Sequence, residues 1–391
     1  MATQVVLIPG FMGFQTIGDL SYFRRVSSML TGYLNERGIV DVTVHEAPTA
    51  PTGSIARRAQ VVLKWLIANG GAEAHNIHLI GHSTGGLDAR LLVAPGVRLL
   101  EGDYEEMIAR RVRSVISVST PHYGTPMANL LLKLPLRSTI ERLAFMGSSK
   151  PGRGLLLLVA QVLDALSSLD DFLGRTDTFL DAVVDKLLSQ LSVKTNDPTW
   201  DLLREMSNDT GAAIQLTVES MHLFNAAVAD RQDVRYSSLI TAAPEPTRFR
   251  LSEFWSPINA IKKLAFRVLY LMSSRVSKSY PYTATEPSDL NIEDMASPIE
   301  ITKQSNDGIV PCQSQAYGRV LDIVLGDHLD IVGQFPDAGG DPHADWLPCG
   351  AHFGEAHFRA AWAKIADEIL AAEQRNVRSL KRRSRSRKKA A

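Results

Sequence analysis

NIHLIGHSTGGLDARLL, residues 76–92, reads as a buried strand, a five-residue turn and the start of a helix. The turn is G-x-S-x-G, with Gly81, His82, Ser83, Thr84 and Gly85. Ile77, Leu79 and Ile80 supply the apolar strand in front of it. Such a turn holds its serine on a sharp, strained corner, and only glycine tolerates the close backbone approaches on either side. The corner lifts the hydroxyl clear of the sheet. The N–H of Thr84, at a helix N-terminus, is then available to a developing oxyanion. Ser83 is the candidate nucleophile.

The chain start carries a second element of the same kind. TQVVLIPGFMG, residues 3–13, is an apolar run of Val5, Val6, Leu7 and Ile8 broken by Pro9-Gly10. A strand ending in a glycine turn can present another backbone donor, and the N–H of Phe11 is the candidate; an ordinary loop would also use glycine. A serine nucleophile further needs a base, and a carboxylate to fix that base's tautomer. PIEITKQSNDGIVP (298–311) reads as strand then turn, with Asp307 just past the strand end. AYGRVLDIVLGDHLDIVGQF (316–335) carries His328 between Asp327 and Leu329. The residues alone leave rivals: His343, His352 and His357 as bases, and Asp322, Asp327 and Asp330 as acids.

Taken in order, GHSTGG (81–86), SVSTPHYGTPMA (117–128), SNDGIVP (305–311) and DHLDIVGQF (327–335) resemble the segments of the bacterial true lipases. These are secreted triacylglycerol lipases of the α/β-hydrolase fold. The resemblance covers about residues 4–130 and 232–335. It implies an α/β fold, a mostly parallel sheet flanked by helices, with a large helical cap or lid. It assigns Ser83 as nucleophile, Asp307 as acid and His328 as base, and implies hydrolysis of hydrophobic acyl esters through an acyl-enzyme. Two departures stand out. Pro9-Gly10-Phe11 occupies the place of the usual His-Gly, and residues 336–358 do not align.

The resemblance also implies a structural calcium near the base. Asp330, two residues after His328, matches one ligand, and Gln334 falls where a backbone carbonyl ligates. Asp289 or Asp294 would be the upstream aspartate. Calcium takes six to eight oxygens, and a helix-capping Asp330 is the competing reading. No HExxH, paired CxxC or P-loop occurs, so no cofactor is expected for the chemistry itself. Cys312 sits at about a disulfide position of those lipases, but their partner cysteine lies upstream, whereas Cys349 lies downstream. One bridge or two free thiols are both open.

Organisation follows from composition. A chain of 391 residues with 45% apolar content can fill one large core. The expected layout is a hydrolase core over 1–125 and 232–374, a helical cap over 126–231 and a tail over 375–391. Within the cap, Val162, Leu163, Leu166, Leu169 and Leu173, then Leu180, Val183, Val184, Leu187, Leu188 and Leu191, form wide apolar helix faces. They suit a fixed cap or a lid that covers Ser83 in water and opens at a lipid interface. INAIKKLAFRVLYLM (258–272) would extend it. The tail holds nine Lys/Arg and no acids, leaving nine net negative charges on 1–374. It is expected to be disordered, serving as a solubilising end or as an anchor to an anionic surface or nucleic acid. No export signal or membrane span is legible, so the chain as written is expected in the cytoplasm, or outside the cell if a leader precedes it or export is leaderless. Rival functions are a polyester hydrolase or acyltransferase on the same triad, and a non-catalytic docking protein acting through the tail.

Overall fold

The computed structural model describes residues 2–11, 16–17, 20–133, 211–246, 257–276, 301–336, 345 and 347–390. Thr3–Ile8 forms β1, Thr16–Ile17 and Leu20–Ser21 form a small ribbon of β2 and β3, and Val42–Glu46 forms β4. Asn76–His82 is β5, Val112–Val118 is β6, Arg235–Ala242 is β7 and Arg319–Leu325 is β8. The main sheet runs β4-β1-β5-β6-β7-β8, and every neighbouring pair is parallel.

A parallel sheet needs cover on both faces, and its strands therefore read as unbroken apolar runs. Every residue of β5 is buried. Alternate side chains of β1 divide between two cores. Val5 and Leu7 pack with Leu30 and Leu34 of α1 (Val26–Glu36) and with Trp362 and Ile365 of the C-terminal helix. Val6 and Ile8 pack with Val62, Leu63 and Leu66 of α2 (Ile55–Ala68) and with Ala89 and Leu92 of α3 (Thr84–Val93). Truncating a buried leucine in either core to alanine costs about 2–5 kcal/mol.

Among the described residues the remaining α-helices are α4 (Tyr104–Ala109), α5 (Pro126–Lys133), α6 (Gly211–Gln215), α7 (Val218–Ala227), α8 (Pro257–Ser273), the single turn α9 (Cys312–Gln315) and α10 (Glu355–Ala390). The central part of the expected cap, 134–210, lies outside the described residues. Its flanks are helical, and Ala128, Leu216 and Met221 pack on Ile55 and Leu87. The 258–272 stretch is helical too; Phe266, Leu269 and Tyr270 pack on Met127, Ala243 and Leu347. Among the described residues no helix is long and apolar enough to cross a membrane.

One expectation changes and two are narrowed. Of the segment 298–311 read as strand then turn, 298–300 lie outside the described residues and 301–305 form a turn, in which the Ser305 N–H donates to the Thr302 carbonyl at 3.2 Å and the Thr302 N–H to the Ser305 hydroxyl at 3.0 Å. Asp307 instead docks at the end of β7, where the Ala243 N–H donates to the Asn306 carbonyl at 2.9 Å. The basic C-terminal stretch is helical: α10 continues through Ala390, with no Gly or Pro from 355 onward and many good helix formers. Both cysteines are free, since Cys312 and Cys349 pack into separate apolar clusters.

Topology fixes where a ligand sits. β1 pairs with β4 on one side and β5 on the other, so the chain reverses its direction of travel across the sheet there. Crevices at such switch points, beyond the carboxyl ends of the strands, are the usual binding sites of open α/β sheets. Phe11 and Ser83 follow those two ends. The opposite end is clamped by α10: Glu373 accepts hydrogen bonds from Asn76 Nδ2 at 2.6 Å and Thr3 Oγ1 at 3.4 Å, and lies 3.0 Å from His78 Nε2.

Candidate active site

Ser83 adopts φ 54° and ψ −128°, backbone that a non-glycine residue rarely holds. Such a conformation costs about 1–3 kcal/mol and persists only where its surroundings enforce it. Here the Ser83 N–H donates to the Val118 carbonyl at 2.8 Å, and the Ser83 carbonyl accepts from Gly86 N–H at 3.2 Å. The flanking glycines are obligatory. A Cβ on Gly81 would lie 2.2 Å from the backbone of Gly85, and one on Gly85 would lie 2.2 Å from the Ile8 carbonyl oxygen. Thr84 opens α3, so its N–H is one of the first-turn donors with no intrahelical acceptor. Phe11 sits half-buried in the turn after β1.

His328 follows β8 on a buried loop, with Nδ1 2.7 Å from Asp307 Oδ2. Asp307 is held on both oxygens. Oδ1 accepts the N–H groups of Ile309 and Val310 at 3.0 and 2.8 Å. Oδ2 also accepts the Thr241 hydroxyl at 2.7 Å and the Gln315 amide at 3.2 Å. Because Thr241 donates its proton to Asp307, Ser119 donates to Thr241, at 2.7 Å. The elbow and the base loop meet through His82: its Nε2 lies 2.8 Å from the His328 carbonyl oxygen, and the two rings are 4.7 Å apart. Burial, then the His328 charge, hold His82 well below the usual imidazole range.

His352 and His357 are exposed, Asp322 pairs with Lys364 at 2.7 Å, and His343 lies outside the described residues. Thr241 and Gln315 were not legible as site residues. The only trace is a polar residue interrupting the apolar run of β7 for Thr241, and none marks Gln315.

Beside the base loop, Asp327, Asp330 and Cys349 bring one donor atom each within 4.8 Å of the others. Burial pushes Asp330 up to about 8 and Asp345 up to about 6. Burial, and then the charge of Asp330, also drive Asp327 well above the ordinary carboxyl range. Asp327 Oδ2 and Asp345 Oδ1 are buried with no hydrogen-bond partner among the described residues. Buried acids with orphaned oxygens fit a divalent cation, whose charge would offset the cost of ionising them. Asp330, which the resemblance names as a ligand, and Asp327 are the residues that fit such an ion. Asp289 and Asp294 lie outside the described residues. Gln334, whose backbone carbonyl is the candidate ligand, donates its side-chain amide to the Ser21 carbonyl at 2.9 Å and the Tyr22 carbonyl at 3.4 Å.

Comparison with known proteins agrees with this architecture. A triacylglycerol lipase of Vibrio cholerae serotype O1 is 29% identical over 144 residues, 36% of this chain and 39% of that protein. The match thus spans about two fifths of that curated relative's length. Among solved structures, lipase 1 from Pelosinus fermentans aligns with TM-score 0.51 at 15% identity, covering 94% of this chain and 98% of that one. EstA from Clostridium botulinum aligns with TM-score 0.50 at 19% identity, covering 93% and 88%. At these identities the likeness concerns the fold. The model of the alpha/beta hydrolase family matches residues 5–252, and with nearly two thirds of its length so matched, and the sheet and elbow in place, the chain belongs to the alpha/beta hydrolase family.

Proposed function

We propose that this protein hydrolyses carboxylic esters of hydrophobic acyl groups, with Ser83 as nucleophile, His328 as base and Asp307 as its orienting acid. The observation that carries this reading is the strained Ser83 elbow at the sheet's switch point, tied through His82 to a His328–Asp307 pair. In this reading His328 takes the Ser83 proton as Oγ attacks the ester carbonyl. The N–H groups of Phe11 and Thr84 hold the oxyanion. Collapse expels the alcohol, protonated by His328, and leaves an acyl-serine. Water, deprotonated by His328, adds to that ester and releases the acid and Ser83.

The lipase of Vibrio cholerae supports acyl esters as the substrate class. A calcium ion, when bound, would be held by Asp327 and Asp330 and would supply positive charge beside the base loop. Those two carboxylates, steadied by each other's backbone N–H groups, fix the loop that carries His328.

The test is fluorophosphonate labelling together with turnover of p-nitrophenyl esters of graded acyl length. A single label on Ser83 is expected, with Ser83→Ala and His328→Ala losing several orders of magnitude in turnover. His352→Ala and His357→Ala should keep substantial activity. Ser83→Ala retaining more than about a tenth of wild-type turnover overturns the reading.

A further inference from the structure

Between the oxyanion loop, the elbow and the base loop runs one chain of hydrogen bonds that the acid–base pair does not use. The Gly10 N–H lies 2.9 Å from Tyr22 Oη. Tyr22 Oη lies 2.6 Å from His82 Nδ1, and His82 Nε2 lies 2.8 Å from the carbonyl oxygen of His328. Proton positions follow by elimination. A carbonyl only accepts, so His82 must carry its proton on Nε2, leaving Nδ1 as an acceptor. Tyr22 therefore donates its hydroxyl proton to His82, and its oxygen accepts from Gly10. The low proton affinity of His82 agrees with a single neutral tautomer. All the bonds run in one direction, from the loop that precedes Phe11 to the backbone of the base.

We infer that Tyr22 and His82 are positioning residues, coupling the oxyanion loop to the base loop across the Ser83 elbow. This rests on the Ser83–His328–Asp307 reading above. Gly10 is the contact point for steric reasons as well: a Cβ there would lie 2.5 Å from Ser83 Cβ and 2.8 Å from Tyr22 Oη. Only glycine lets the loop touch the nucleophile and the tyrosine at once. The base loop in turn fixes Tyr22. Gln334 donates to the Ser21 and Tyr22 carbonyls, and the Arg24 N–H donates to the Val332 carbonyl at 3.0 Å. The circuit is thus closed: base loop to Tyr22, Tyr22 to Gly10 and His82, and His82 back to His328. Displacing any member shifts the donor at Phe11 relative to the base, a misalignment felt in the transition state more than in substrate binding.

The test is a double-mutant cycle on the full chain with a soluble p-nitrophenyl ester, using Tyr22→Phe, His82→Asn and the pair. Each single variant should lower kcat about tenfold with KM within about twofold, as loss of one aligned hydrogen bond allows. The double variant should be no slower than the slower single, because both break one circuit. His82→Gln, which keeps an amide N–H for the His328 carbonyl, should recover part of the His82→Asn loss and carries the test should Tyr22→Phe not fold. Nitrogen NMR of wild type should show His82 protonated on Nε2 alone. Fluorophosphonate must label Ser83 in every variant compared. If wild type itself is unlabelled and inactive, the underlying serine-hydrolase reading fails. With wild type labelled, a Tyr22→Phe kcat within about twofold of wild type, losses that multiply in the double variant, a rise in KM alone, or a His82 proton on Nδ1 each overturn the circuit.

Discussion

The guanidinium of Arg58 and the carboxylate of Asp88 meet at 2.9 Å with neither side chain reaching solvent. Arg58 comes from α2 and Asp88 from α3, the helix that Ser83 caps. The same guanidinium donates to the carbonyls of Pro9, Ala50 and Pro51. One cation therefore ties the loop before Phe11 to the helix behind the nucleophile.

Arg58→Met should lower stability by about 3–5 kcal/mol, because it strands a buried carboxylate and three carbonyls. Arg58→Lys should recover little, since a single ammonium cannot span the fork of acceptors. Urea unfolding checks both; a loss under about 1 kcal/mol for Arg58→Met contradicts the role.

Burial outweighs Arg58 at Asp88 and raises its carboxyl from 3.8 to about 6. Between those values the folded protein keeps a proton that the unfolded chain has released, so stability declines as pH rises through that window. Asp88→Asn should remove this part of the slope. Melting temperatures of both proteins from about pH 4 to 6 decide it; parallel slopes are the contrary result.

Thr241 gives Asp307 a donor through a hydroxyl buried between β7 and the acid turn. Thr241→Val should cut kcat on a short-chain ester about tenfold and leave KM unchanged, the signature of a weakened acid rather than a lost substrate contact. Unchanged kcat would remove Thr241 from the site.

Chelation tests the acidic pocket. EDTA should lower the melting temperature of wild type, with calcium restoring it, as expected when a ligand binds only the folded state. An Asp327→Asn, Asp330→Asn protein should be indifferent to both additions. A wild type unmoved by EDTA speaks against a bound cation.

What could be read from the chain was local. The elbow was legible because Gly81, Ser83 and Gly85 lie within five residues, and steric demands at that range leave few alternatives. Asp307 and His328 were legible as short motifs, and the resemblance paired them, while the residues alone left rivals open: β7 and β8, lying side by side, bring the two together. The helix at 375–390 was missed because like charges suggested repulsion, while residue propensity favoured a helix. Thr241, Gln315 and Tyr22 act through partners up to 74 positions away in sequence, a distance no periodicity encodes.

The clamp at the far end of the sheet has a consequence for chain connectivity. Thr3, at the start of β1, and Glu373, near the middle of α10, touch across 370 positions. A short linker could therefore splice those two points, and new ends could be opened at an exposed surface turn such as Gly96 or Gly102. Such a rewired polypeptide would keep every strand neighbour it has now. Its seam would lie on the side of the molecule remote from Ser83, so covalent continuity could be altered without disturbing the reactive face.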